Sequence, residues 1–223
     1  MTKRKTQTRR SDRPLGSSVW LRPARPGEGR QVEKLLVWDP VTGKALRSSV
    51  DADRADGTDT SHGLVLVAAD RHRDEQIVGV AAAGVPRQLI AGLQLPAEAN
   101  RLLVRSIIGI TGIAVMAETV QHGLVGRLLS GMAKHYRQAG FQWVFGQCRM
   151  GNDAWLTHLR GLGFTVGAAG VDIRLNSALW PHNSTIRTQT DLHAFFQPLT
   201  EEPSVRMAMM PVPSGINRTP VAV

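Results

Sequence analysis

Ser106 to Leu129 reads SIIGITGIAVMAETVQHGLVGRLL, and a change of period inside it decides the fold. Ser106 to Val115 is an uncharged run rich in Ile and Val, which predicts a long buried strand. Past Met116-Ala117-Glu118, the residues Val125, Leu128, Leu129, Met132 and Tyr136 recur every three or four positions. That spacing predicts one apolar face of a helix from about Val120 to Ala139, with Gly140 as its stop. Where strand turns into helix, Gly123 allows close approach to the backbone, and the helix start presents unpaired N–H groups under aligned peptide dipoles. The junction therefore reads as an anion site. Gly109 and Gly112, inside the strand, predict a bulge or a splay.

Working outward, Val19-Trp20-Leu21 reads as a strand and Val32, Leu35, Leu36 and Trp38 as one face of a helix that Asp39-Pro40 stops. The segment 39–62 reads as a long loop with a helical turn near 45–50. Leu64–Ala69 and Ile77–Ala83 read as a hairpin, and 86–100 as an insertion. Downstream, Phe141–Cys148 predicts a strand, Asp153–Arg160 a helix ended by Gly161, and Phe164–Leu175 another strand. A small helix at Leu192–Phe196 and a strand at Val205–Met210 follow. This order predicts an α/β fold with a mixed central β-sheet flanked by helices. The domain is expected over 19–176, with a disordered basic arm at 1–18 and a partly irregular extension at 177–223.

Among 223 residues the net charge is +9, and nine basic against two acidic residues in 1–30 account for +7 of it. The arm can meet nucleic acid or an acidic partner protein, or act as a solvated tail. Cys148 is the only cysteine, which excludes an internal disulfide and thiolate-rich zinc sites; on a strand it reads as a small buried hydrophobe. No stretch has the roughly 18 apolar residues of a membrane span, so the expectation is a cytoplasmic protein without membrane contact. Asp51, Asp53, Asp56 and Asp59 miss the spacing of a calcium loop, the histidines form no ligand pattern, and no metal is expected. Phosphate-loop and dinucleotide glycine patterns are absent.

Twenty-nine residues beyond Gly123, Asn152-Asp153-Ala154 opens the short helix, and Gly163-Phe164 closes it. From Ile107 to Val166, and more loosely from 20 to 175, the chain resembles the GCN5-related N-acetyltransferase (GNAT) family. The resemblance implies an acetyl-CoA N-acyltransferase fold with acetyl-CoA between the strands at 107–115 and 141–148. Backbone groups of Ile113, Ala114 and Val115 would pair with the pantetheine arm. Amides of Gln121, His122, Gly123, Leu124, Val125 and Gly126 would hold the pyrophosphate, and Asn152 would contact pantetheine or the adjacent helix.

Val120 and Val125 stand where the family's turn carries Arg or Gln and Gly or Ala, and Leu159 stands where its catalytic tyrosine falls. Leu159 cannot donate a proton, which leaves His158 and Glu118 as candidate proton-handling residues. Tyr136, on the apolar stripe, reads as core. Two functions follow. One is transfer of an acetyl group from acetyl-CoA to an amine by direct attack in a ternary complex, the acceptor being open among small molecules, peptides and aminoacyl-tRNA. The other is a catalytically inactive binding protein on this fold whose arm contacts nucleic acid or a partner.

Overall fold

The computed structural model describes residues 18–37, 39–51, 63–117, 123–149, 151, 153–178 and 180–210. Ten strands and six helices follow in chain order: β1 (Val19–Pro23), α1 (Gly29–Leu35), α2 (Pro40–Asp51), β2 (Leu64–Asp70), β3 (Gln76–Gly84), α3 (Arg87–Gly92), α4 (Ala97–Ser106), β4 (Ile107–Val115), α5 (Leu124–Gln138), β5 (Trp143–Arg149), α6 (Asp153–Gly161), β6 (Thr165–Ala169), β7 (Asp172–Ser177), β8 (Trp180–Ile186), β9 (Leu192–Pro198) and β10 (Arg206–Met210). A seven-stranded sheet runs β1-β2-β3-β4-β5-β9-β6, and a three-stranded sheet runs β10-β7-β8. Within the large sheet only β4 and β5 pair in parallel.

The apolar runs explain the layers. Along β2, Leu64, Leu66 and Ala68 face a core shared with Leu128, Leu129 and Met132 of α5 and Leu159 of α6. Val65 and Val67 face the opposite core, under Val32 of α1, Leu36 just after it and Val50 of α2. The strand is buried on both sides, which is why it reads as continuous apolar sequence rather than an alternation. A third core lies between the other half of the large sheet, helices α3 and α4, and the small sheet; it holds Leu103, Ile107, Phe145, Ile173, Leu175 and Phe196. Trp143 Nε1–H donates to Val205 O at 2.6 Å, tying the segment leading into β10 to β5.

Several expectations are corrected here. Residues 40–51 form α2, not a loop with one turn, and 86–100 supplies α3 and the first turn of α4. The strand expected over 164–175 is two strands in different sheets, parted at Gly170, whose φ is +71°. The helix expected at 192–196 is the strand β9, which alternates Phe195 toward the α5 core with Ala194 and Phe196 toward the third. Because β9 lies between β5 and β6, the boundary expected at 176 cuts through one sheet. The small sheet and β9 replace the irregular extension as far as residue 210; 211–223, and all of the arm but Ser18, lie outside the described residues. Asp51 ends α2 and accepts N–H bonds from Gly27 at 3.2 Å and Gly29 at 3.0 Å; Asp53, Asp56 and Asp59 lie outside the described residues. No helix among those described is long and apolar enough to cross a membrane.

Candidate active site

β4 and β5 pair only from Ile107–Gly109 to Trp143–Phe145. Beyond that point β4 stays with β3 as far as Val115, whereas β5 stays with β9 as far as Arg149. The two strands therefore part, and no described strand pairs with the β5-facing edge of β4 past Gly109. Opposite β3, Ala82 pairs with Gly112 and Ala83 with Ile110, so Thr111 is an extra residue, a bulge at the start of the opening. The bulge keeps Ile110, Ile113 and Val115 against the α5 core and leaves Ala114 toward α1 and α2. Gly112 lies under α2: a Cβ there would sit 3.3 Å from Thr42 Cγ2 and 3.5 Å from Leu36.

Gly123 caps α5 in the left-handed region, φ 63° and ψ 21°, with none of the described residues within 4 Å of where a Cβ would project. The first helical backbone bond at this end runs from Arg127 N–H to Gly123 O at 3.1 Å. The amides of Leu124, Val125 and Gly126 precede it and have no i−4 carbonyl to reach within the helix. No acidic side chain stands in that first turn, so the field there favours an anion. The glycine at 126 serves packing: a Cβ would lie 3.1 Å from Leu162 Cδ2. Gln121, His122, Glu118 and Asn152 lie outside the described residues, so those four residues of the expected site are not placed.

Leu159 is wholly buried in the α5–α6 core. His158, one residue earlier, is exposed, with its ring 6.0 Å from that of Trp155. Successive helical residues project about 100° apart, and burial of Leu159 turns His158 outward. Cys148 lies on β5 past the split, opposite His193 of β9, and burial pushes its thiol above the ordinary value. That makes it a poor nucleophile at neutral pH. His193 Nδ1 lies 2.9 Å from Gly167 O.

A feature missed in the sequence reading is the start of α2. Asp39 accepts from Thr42 N–H at 3.1 Å and from Thr42 Oγ1–H at 2.6 Å. Those two bonds from Thr42 hold its carboxyl below the ordinary value, with a further contribution from the charge of Arg149 at the end of β5. Asp39, just ahead of α2, and Arg149, at the end of β5, thus attract one another. Asp followed by Pro, an N-cap and first-turn pair, is the sequence signal that could have revealed the helix.

No family model matches the chain, and no curated protein matches it. Solved structures do. An N-acetyltransferase from Staphylococcus aureus Mu50 aligns with TM-score 0.53 at 12% identity, over 82% of this chain and 100% of that one. The ribosomal-protein-S18-alanine N-acetyltransferase of Escherichia coli aligns with TM-score 0.52 at 11% identity, over 82% and 96%. The protein yncA of Salmonella typhimurium, solved with acetyl-CoA as its cofactor, aligns with TM-score 0.53 at 16% identity, over 83% and 96%. At such identities the likeness is one of architecture. The chain has the GNAT acyltransferase fold.

Proposed function

We propose that the protein is an N-acetyltransferase that takes its acetyl group from acetyl-CoA and passes it to an amine within a ternary complex. The observation that carries this reading is the parting of β4 from β5 at Gly109, which opens onto the Gly123-led start of α5. The β5-facing edge of β4 past Gly109 suits an amide-bearing arm, since among the described residues its backbone N–H and C=O groups have no strand partner there. The open cradle at Gly123, with the amides of Leu124 to Gly126, suits a pyrophosphate.

In the transfer, the amine nitrogen attacks the thioester carbonyl carbon, and the C–S bond breaks as the C–N bond is completed. The nitrogen gives up one proton and the departing CoA sulfur gains one. Backbone N–H groups on the edge of β4 near Val115 stabilise the oxyanion, and holding both reactants in one opening supplies much of the rate. Leu159 offers no proton and His158 faces outward, so the sulfur takes its proton from solvent, from the substrate or from Glu118. The buried Leu159 also favours a second reading, a protein that binds acetyl-CoA without turning it over.

Calorimetric titration with acetyl-CoA tests the first step. Gly123→Val should weaken binding at least tenfold, because a β-branched residue is strained at φ 63° and its side chain fills the cradle. Unchanged affinity in a folded variant would move the site elsewhere.

A further inference from the structure

We infer that the groove between α5 and the turn after α6 is a second ligand site, separate from the acetyl-CoA opening. It takes a small organic anion, an apolar ring or short chain that carries one carboxylate or phosphate. The cavity there has a volume of about 250 Å³. Leu129 and Phe164, both buried, and the half-buried Ala133 and Leu162 give it an apolar lining. Lys134 and Arg137, both exposed, also border it, three positions apart on one helix. That spacing puts their Cβ atoms about 5–6 Å apart, close enough to share one anionic group.

The ligand's charge follows from what surrounds these cations. Among the described residues no acidic side chain lines the cavity, neither Lys134 nor Arg137 is in an ion pair, and α5 holds no Asp or Glu along its length. Arg137 Nε–H donates to Leu199 O at 2.7 Å, which holds the guanidinium in place with its two terminal nitrogens turned to other partners. The ligand's size follows from the volume: sites for drug-sized molecules run from about 300 to 1,000 Å³, so this one suits a single ring or a few carbons. A bare inorganic anion would leave the apolar walls wet, and a neutral apolar body would leave both cations unused. The basic arm, with six cations of its own in residues 1–17, has the wrong charge for this rim. Leu129 and Arg137 lie 6 and 14 residues beyond Gly123, about 9 and 21 Å along the helix. Leu162, which lines the cavity, also packs on Gly126, so it stands at the boundary between the two sites.

Ligand-observed NMR titrations of the full chain with phenyl phosphate, benzoate, benzylamine and inorganic phosphate test this. At least one of the two aromatic anions should bind with Kd of about 1 mM or lower, and the tighter of them identifies the head group. It should bind at least tenfold more tightly than benzylamine or inorganic phosphate. K134E should weaken that binding at least tenfold, and S130F, which sets a ring at the cavity's edge, should do the same. K44E, on α2, should leave it unaltered. Ser130 and Lys134 are exposed, so both variants should keep the wild-type Tm within about 2 °C; if S130F does not, K134E decides. Binding should persist at saturating acetyl-CoA. No binding of either aromatic anion, equal binding of benzylamine, or an affinity that K134E leaves unaltered overturns the inference. Displacement by acetyl-CoA overturns it as well, by making the cavity part of the acetyl-CoA site, and leaves the acetyltransferase reading standing.

Discussion

Tyr136, 3% exposed, accepts from Leu64 N–H at 3.0 Å and donates to Ala83 O at 2.9 Å. The helical stripe marks it as core, and so it is. Its hydroxyl contacts come from strands 72 and 53 positions away, and no local pattern announces them. Tyr136→Phe leaves both backbone groups without this partner, at a cost of about 2 kcal/mol. That corresponds to a fall of roughly 4–8 °C in Tm for a chain of this size. Burial pushes the phenol up to about 12, against 10.0 ordinarily, with the Leu64 N–H bond pulling the other way. Since the folded value is the higher one, this contribution is complete below pH 10 and is lost as the pH rises toward 12. Denaturant titrations from pH 9 to 11.5 should show wild type losing about 2 kcal/mol more than Tyr136→Phe.

α6 joins an inward residue that cannot donate a proton to an outward one that can. His158→Ala is therefore expected to change kcat on a working acceptor by less than about tenfold, well short of the 10²–10⁴ of a general acid. A larger loss with acetyl-CoA affinity intact would make His158 part of the chemistry. Elements with an unbroken stripe or run, α5 and β2 among them, are legible because each meets its core along its whole length. α2 is not: Val41 is exposed, and only Leu46 and Val50 face the α1 core, so capping rather than apolar spacing marks it. The apolar run Leu192–Phe196 is too short for its period to tell strand from helix. β9 becomes a strand because β5 and β6 flank it. In the site, the glycine that caps α5 and the bulge or splay announced by Gly109 and Gly112 were legible; that the extra residue is Thr111, set by the register against β3, was not.

The whole molecule is held as a unit by its late segments. A chain ending at Ser177 lacks Phe195, Phe196, Val205 and Met207, which fill two cores, and it should show no cooperative thermal transition by circular dichroism. Removal of residues 1–17, whose only large apolar side chains are Met1 and Leu15, should shift Tm by less than about 2 °C. It should also abolish most salt-dependent retention on heparin, since six of the chain's basic residues lie there. Loss of the cooperative transition in this truncation as well would make the arm part of the fold.

The position of β9 sets a timetable for synthesis. β5 and β6 leave the ribosome before the strand that must lie between them, with 22 residues separating Ala169 from Leu192. At ordinary elongation rates that is about 1–5 s. During that interval both neighbours carry bare edges, and a direct β5–β6 pairing would close the sheet without β9. Gly146 leaves the space that the Phe195 ring later fills: a Cβ there would collide with that ring. The nascent β5 thus holds a hole that only the late strand can plug.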